Sequence, residues 1–111
     1  MEVTFKKAFS IVDGRLATEM GGVYEMLNFI FDQNLHTHQL PTAFRKIREV
    51  SPAWYQQGTR LLAKIKAEYG TDDFNILMRV IDRDYPKYTL ELTKIDYKIE
   101  LLAGLDQIGK K

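Results

Sequence analysis

Apolar residues recur at helical spacing through the first half of the chain. The first group places four apolar side chains on one helical face: Phe5, Ala8, Phe9 and Val12. Gly14 follows as a residue suited to a left-handed helix cap. The second group predicts a core-facing helix from Val23 to Asp32, preceded by the flexible pair Gly21-Gly22. Polar residues from Gln33 onwards predict a loop, which Pro41 closes.

The third predicted helix has Pro41 in its first turn, where proline lacks only a donor that is unpaired there anyway. Phe44 and Ile47 are expected to be buried, with Val50 near the end of the helix. The solvent face carries four charged side chains: Arg45, Lys46, Arg48 and Glu49.

The fourth helix is predicted from Pro52 to Tyr69, with the Ser51 hydroxyl as its cap and Gly70 as its end. Trp54 and Tyr55 cannot both face the core, because neighbouring helical positions lie about 100° apart. Trp54 is in phase with the apolar stripe, so it is expected to be the buried ring. Tyr55 is then partly exposed, with an apolar body and a polar tip suited to a partner surface.

The last third of the chain has a mixed pattern. Residues 74–81 form a short apolar run that predicts a buried strand, and residues 82–87 predict a turn. Alternation in residues 88–92 predicts a hairpin partner, although a helical stripe also runs through residues 88–95. We therefore predict a short strand followed by a helix over about 95–103, while residues 109–111 form a frayed tail.

These elements predict an α+β, predominantly helical fold of four to five helices with a small C-terminal strand or hairpin. The chain has 111 residues, a common size for one domain, so residues 1–111 are expected to form a single domain. Its contents of 45% hydrophobic and 28% charged residues are ordinary for a globular protein. Neither repeats nor linkers divide the sequence.

Charge and composition exclude several classes of function. The net charge is +1, whereas a dedicated non-specific DNA-binding protein carries a marked basic excess. The absence of cysteine rules out disulfides, thiolate nucleophiles and cysteine-bound zinc. Residues 1–7 lack a signal-peptide apolar run, and no apolar stretch approaches the roughly 20 residues that span a bilayer. We expect a soluble, cytoplasmic protein without a membrane partner.

No arrangement of residues predicts catalysis. A serine nucleophile would have to be Ser10 or Ser51, and Ser51 is already explained as a helix cap. Carboxylates could pair for acid–base work, but clusters of this kind usually lie in solvated turns: Asp72, Asp73, Asp82 and Asp84. The Gly21-Gly22 pair is too short for a phosphate-binding loop. We predict a protein without enzyme activity or cofactor.

The segment from Leu35 to Pro41 contains both histidines of the chain. His36 and His38 could together ligate a metal from an extended backbone, but a site needs three or four ligands and the nearest carboxylate is Asp32. The favoured interpretation is that this motif shapes the loop through hydrogen bonds and holds no metal. Its residues are His36, His38, Gln39 and Pro41.

Basic residues on the third and fourth helices suggest a nucleic-acid interface. They span residues 45–66: Arg45, Lys46, Arg48, Arg60, Lys64 and Lys66. If the two helices pack as a pair, this face could contact phosphates, with Trp54 and Tyr55 available for base stacking. The alternative is two amphipathic helices with ordinary solvent faces, and Glu49 and Glu68 dilute the positive charge.

Three motifs resemble a family of small uncharacterised proteins of tailed bacteriophages. They are Gly14-Arg15-Leu16, the segment from Gly22 to Phe29 that contains Tyr-x-x-Leu-Asn, and Thr37-His38-Gln39-Leu40-Pro41. The likeness covers residues 9–45, and Tyr69-Gly70 resembles a later helix end of the family. In the family, an acidic residue and a cysteine lie near a tryptophan after the Leu-Pro segment. The corresponding residues here, 48–54, contain no cysteine, so this chain lacks any role of that cysteine.

The resemblance implies phage origin and a location in the host-cell cytoplasm, without implying an activity. By analogy with other small phage proteins, we expect the chain to bind and inhibit a host protein, with defence complexes such as CRISPR effectors among the targets. A homodimer stays open as a second partner. The expected partner-binding residues are Tyr55, Arg45, Arg48, Arg60 and Lys64.

Overall fold

The computed structural model describes residues 1–104 and places five α-helices and two short strands in that range. The helices are α1 (Phe5–Val12), α2 (Met20–Phe31), α3 (Leu40–Val50), α4 (Ala53–Tyr69) and α5 (Phe74–Asp84). The strands are β1 (Glu2–Thr4) and β2 (Thr89–Glu91), and a single 3₁₀ turn (Thr37–Gln39) leads into α3. The predicted α+β, predominantly helical class is confirmed. The expected tail at residues 109–111 lies outside the described residues.

The two strands form one small antiparallel sheet. Val3 lies opposite Leu90, and both side chains are buried against the helices. The strand expected near residues 88–92 therefore exists as β2. Its predicted hairpin with residues 74–81 is wrong, because β2 pairs with β1 from the start of the chain.

Residues 74–81 belong to helix α5, so the predicted buried strand is wrong. The Asp73 side chain accepts a hydrogen bond from the Ile76 backbone amide at 3.0 Å and caps the first turn. Leu77, Val80 and Ile81 follow at helical spacing and are buried, while the opposite face is exposed. A side chain that caps the helix and a one-sided apolar stripe together favour the helix over the strand.

Ser51 does not cap α4. It ends α3 in the left-handed conformation with φ of 48°, and its backbone amide donates to the Ile47 carbonyl at 2.8 Å. Pro52 is the extended residue before α4, which begins at Ala53. Ile47 is buried as predicted, whereas Val50 is 46% exposed because it lies next to this turn.

Two helix ends differ in how well the sequence predicted them. Gly70 ends α4 as expected. Its φ is 60°, and its backbone amide donates a hydrogen bond to the Lys66 carbonyl. Helix α2 starts at Met20 instead of Val23, so Gly21 and Gly22 lie inside it and do not form a flexible entry.

Helix α1 lies at the centre of the packing. It contacts α2, α4, α5 and both strands, and Phe5 and Phe9 are fully buried. Gly58 of α4 allows α4 to approach α1 closely, since a Cβ there would lie 2.8 Å from Cγ2 of Val12. The buried hydrophobic residues form one connected cluster.

We expect Gly58→Ala to destabilise the protein by about 1–3 kcal/mol, because the added methyl group overpacks the contact with Val12. Gly21→Ala is the matched control: a Cβ at Gly21 meets nothing within 4 Å, and alanine is the better helix former by about 1 kcal/mol. The midpoints of chemical denaturation of the two variants should therefore shift in opposite directions from that of the parent protein. A Gly58→Ala protein as stable as the parent would contradict the close packing of α4 on α1.

Residues 93–104 run along the surface without a helix, and we call this segment the strap. The helix predicted over 95–103 is wrong, although Ile95 and Ile99 are buried as its apolar stripe required. The Ile95 amide donates to the Ile30 carbonyl at the end of α2 at 2.7 Å. Tertiary hydrogen bonds of this kind replace the local bonds of a helix. Within residues 1–104, none of the helices combines the length and apolar character needed to cross a membrane.

Candidate functional site

A cleft of about 370 Å³ opens where the end of α1 meets α3 and the first turn of α4. Two residues of its lining were expected to bind a partner, Arg48 and Tyr55, and Pro41 of the loop motif lies beside them. The full lining is Ile11, Val12, Asp13, Gly14, Pro41, Phe44, Arg48 and Tyr55. The cleft therefore combines aliphatic and aromatic side chains with two charged side chains.

The start of α4 places Tyr55 in this cleft. Trp54 is 3% exposed and packs into the core, as the phase of the helix predicted. Tyr55 is half-buried, and its ring meets that of Trp54 edge-to-face with centroids 6.1 Å apart. The predicted division between a buried tryptophan and a partly exposed tyrosine is confirmed. Phe44, which was expected to be buried, is half-buried, and it forms the aromatic sides of the cleft together with Tyr55.

Asp13 lies in the cleft beneath an ion-pair network. Its side chain is 7% exposed, and Arg15 binds it through Nε at 2.6 Å while Lys66 Nζ lies 3.4 Å away. Both cations also bind Asp72 of the α4–α5 loop, at 2.9 Å and 2.8 Å. Burial alone would raise the pKa of Asp13, but hydrogen bonds from Arg15 and Lys66 outweigh it and lower that pKa. Asp13 is therefore ionised and already neutralised by two cations at neutral pH.

The second charged group of the cleft is Arg48. No ion pair joins its side chain to any other residue of the range 1–104, and it is exposed. Arg45, one turn away, has Glu49 at 3.6 Å. Because Asp13 is neutralised, Arg48 gives the cleft an uncompensated positive charge.

The loop motif binds the strap. The Gln39 side chain is 2% exposed, and its Nε2 donates to the Glu100 carbonyl at 2.9 Å. Its Oε1 accepts from the His36 backbone amide at 2.7 Å. Gln33 adds a pair of bonds to Ile99, accepting from its amide at 2.8 Å and donating to its carbonyl at 3.0 Å. These glutamines satisfy backbone groups that no secondary structure pairs.

The two histidines also serve this loop. The His38 ring bonds through Nε2 to the Leu101 carbonyl, and the His36 ring stacks on it at 5.7 Å between centroids. Pro41 lies in the first turn of α3, as predicted. In the part of the chain that the structure describes, no three His, Asp or Glu side chains are grouped to hold a metal ion.

Two of the six basic residues on α3 and α4 are engaged by other parts of the chain. Helix α4 packs mainly on α1, α5 and β2, and α3 is not among its main contacts. Lys66 is committed to Asp13 and Asp72, while Lys46 lies 4.1 Å from the centroid of the Tyr97 ring in the strap. Lys64 pairs with Glu68 at 4.0 Å, and Arg60 is exposed. Arg45, Arg60 and Lys64 therefore lie outside the lining of the cleft.

Sequence reasoning missed several residues of this region. Val12 was predicted only as part of an apolar helical face, and nothing was predicted for Ile11 and Asp13, yet all three line the cleft. The sequence signal for Asp13 was the Gly14-Arg15 motif, because an arginine close to an aspartate after the end of a helix favours an ion pair. Gln33 was assigned to a polar loop, and nothing local indicates its bonds to Ile99, a residue 66 positions away.

A family model described as a domain of unknown function, DUF7736, matches residues 4–57, which is just under half of the chain. The matched range runs from the end of β1 to the first turn of α4. It includes every residue that lines the cleft. No curated protein and no solved structure gives a match to the chain.

Proposed function

We propose that this chain is a non-enzymatic accessory protein of a tailed bacteriophage that binds a host protein in the host-cell cytoplasm and inhibits it. The observation that supports this most is the cleft between α1, α3 and α4. There, half-buried Phe44 and Tyr55 lie beside Arg48, which forms no ion pair within residues 1–104. Tyrosine and arginine are the residue types that most often dominate the energy of a protein interface. Resemblance to small phage proteins supports the proposed source.

The mechanism of inhibition would be steric. The protein needs one surface of standard size, about 800 Å² on its side of the complex, to cover a working site on its target. The cleft supplies a place for an anchoring side chain of the target, and the exposed surfaces of α3 and α4 around it supply the rim. Defence complexes such as CRISPR effectors are the first class of target to test. A second copy of this chain is the other partner that the proposal leaves open.

Tyr55→Ala is expected to weaken capture of the target about tenfold, equivalent to about 1.4 kcal/mol of binding energy. The measurement is recovery of the target by tagged protein from nuclease-treated host lysate, followed by an affinity measurement on the isolated pair. Tyr97→Ala is the matched control, because Tyr97 is 38% exposed on the strap and lies outside the cleft. Equal losses for both variants would refute the placement of the interface at the cleft.

The second proposed function is nucleic-acid binding through the exposed cations of residues 45–66, supported by the exposure of Arg48, Arg60 and Lys64. Arg45→Glu combined with Lys64→Glu is then expected to reduce DNA or RNA binding in a low-salt gel shift. The affinity of the parent protein should also fall steeply as salt rises, because phosphate contacts release counterions. A parent protein that shifts neither DNA nor RNA at low salt would remove this function.

A further inference from the structure

We infer that the segment recognised by the cleft carries a carboxylate next to an apolar side chain, and that Arg48 binds this carboxylate. The inference rests on the proposed protein-binding function and names the chemistry of the partner at that same site. It follows from three features of the cleft: its size, its aliphatic and aromatic side chains, and the difference between its two charged groups, of which Asp13 is paired and Arg48 has no ion pair within residues 1–104.

The size and lining of the cleft suit an aliphatic or aromatic side chain. Its volume of about 370 Å³ lies at the small end of ligand sites, which span roughly 300–1,000 Å³. Ile11 and Val12 are buried residues of its lining, and Phe44 and Tyr55 expose part of each ring. An apolar side chain placed there removes its own surface and part of both rings from water, which is favourable in proportion to the area buried.

The charged groups of the cleft favour a partner that carries a negative charge next to the apolar side chain. Asp13 would repel a carboxylate if it were free, but its two oxygens accept hydrogen bonds from Arg15 and Lys66. Arg48 has no such partner within residues 1–104, whereas its neighbours Arg45 and Lys46 share Glu49. A guanidinium binds a carboxylate through two parallel hydrogen bonds, which adds specificity as well as attraction.

A protein segment fits these features better than a nucleic acid. A nucleic acid would bring a phosphate to Arg48, but it would also bring further phosphates, for which the neighbouring cations are already engaged. Glu49 holds two of these cations, and Asp13 and Asp72 share the other two: Arg45, Lys46, Arg15 and Lys66. The aliphatic part of the cleft, formed by Ile11, Val12 and Pro41, offers little flat surface for stacking a base. A single carboxylate beside an apolar side chain pairs with Arg48 and brings no further negative charge that needs a cation.

The test uses full-length, ¹⁵N-labelled protein and short blocked peptides as probes in amide NMR titrations. The first peptide is acetyl-Ser-Leu-Glu-Ser-amide, and its controls carry glutamine or lysine in place of glutamate. The thymidine dinucleotide TpT is the nucleic-acid probe. We expect the glutamate peptide to shift the amides of Gly14, Phe44 and Tyr55 and to bind about tenfold more tightly than the glutamine peptide.

Variants of exposed arginines complete the test without threatening the fold. Arg48→Glu should abolish the preference for glutamate and favour the lysine peptide, and Arg48→Lys should retain part of it because lysine binds a carboxylate as a point charge. Arg60→Glu is the control, since Arg60 is equally an exposed arginine but lies outside the cleft. It should leave the peptide affinities unchanged.

Three results would overturn the inference. Equal binding of the glutamate and glutamine peptides would show an apolar cleft without charge selection. Shifts at the cleft by TpT and not by the peptides would assign Arg48 to nucleic acid. An absence of shifts at the cleft with every probe would remove its role in recognition. The proposed function fails separately, if the tagged protein captures no host protein from nuclease-treated lysate. A target captured independently of Tyr55 refutes only the placement of the interface at the cleft.

Discussion

Trp54→Ala is expected to lower the free energy of unfolding by about 3–5 kcal/mol, the usual cost of truncating a large buried aromatic side chain. Trp54 is 3% exposed in the first turn of α4, where it packs into the shared core. The neighbouring Tyr55 is half-buried, so Tyr55→Ala should cost only about 1 kcal/mol, near the centre of the range for single substitutions. Urea denaturation followed by circular dichroism measures both values.

Trp54→Phe separates the apolar packing of the indole ring from the effect of its buried N–H donor. The Trp54 Nε1 atom is buried with no hydrogen-bond partner among the described residues. Phenylalanine removes this unsatisfied donor and keeps most of the apolar volume, so its cost should be well below that of alanine. If Tyr55→Ala unfolds the protein and Trp54→Ala leaves it stable, the orientation of α4 is wrong. The partner interface built on Tyr55 would then be lost as well.

Gln39→Met is expected to destabilise the protein by about 2–4 kcal/mol, because buried polar groups left without partners cost about 1–3 kcal/mol each. Methionine keeps the length of the side chain but removes the acceptor for the His36 amide and the donor to the Glu100 carbonyl. Gln33 still bonds to Ile99, so the strap should loosen without being released. The change in unfolding free energy is measured by chemical denaturation.

Amide hydrogen exchange gives the local part of this prediction. The His36 and Ile99 amides should exchange faster in Gln39→Met, while the amide of Ile65 in α4 should follow the global stability alone. Asn34→Ala is the matched control, because Asn34 is exposed in the same loop. If Gln39→Met changes stability no more than Asn34→Ala, the strap is not held by the loop motif.

The helices that the sequence predicted well are those whose start, stripe and end agree. Pro41 at the start of α3 and Gly70 at the end of α4 act through their own backbone geometry, so they can be recognised without any partner. The division of roles between Trp54 and Tyr55 followed from helical phase alone. Each of these features is local, and each is confirmed by the structure.

The wrong predictions of secondary structure concern segments whose local sequence did not clearly favour one structure. Residues 74–81 contain apolar residues at both periods, and the cap formed by Asp73 together with packing against α1 and α4 favoured the helix. Residues 95–103 carry a helical stripe, but Gln33 and Gln39 bind their backbone in a non-helical form. Segments with weak intrinsic preference adopt the structure that satisfies their backbone groups in the assembled fold.

In the candidate site too, some features follow from the local sequence and others depend on tertiary packing. The sequence by itself determined that Tyr55 would be partly exposed on α4 and that Arg48 would lie on the solvent face of α3, because both follow from periodicity. Only the tertiary structure decided that these residues share a cleft with the end of α1, and that Asp13 there is neutralised by Arg15 and Lys66. Contacts between residues far apart in sequence depend on how helices pack, and helical spacing carries no information about that arrangement.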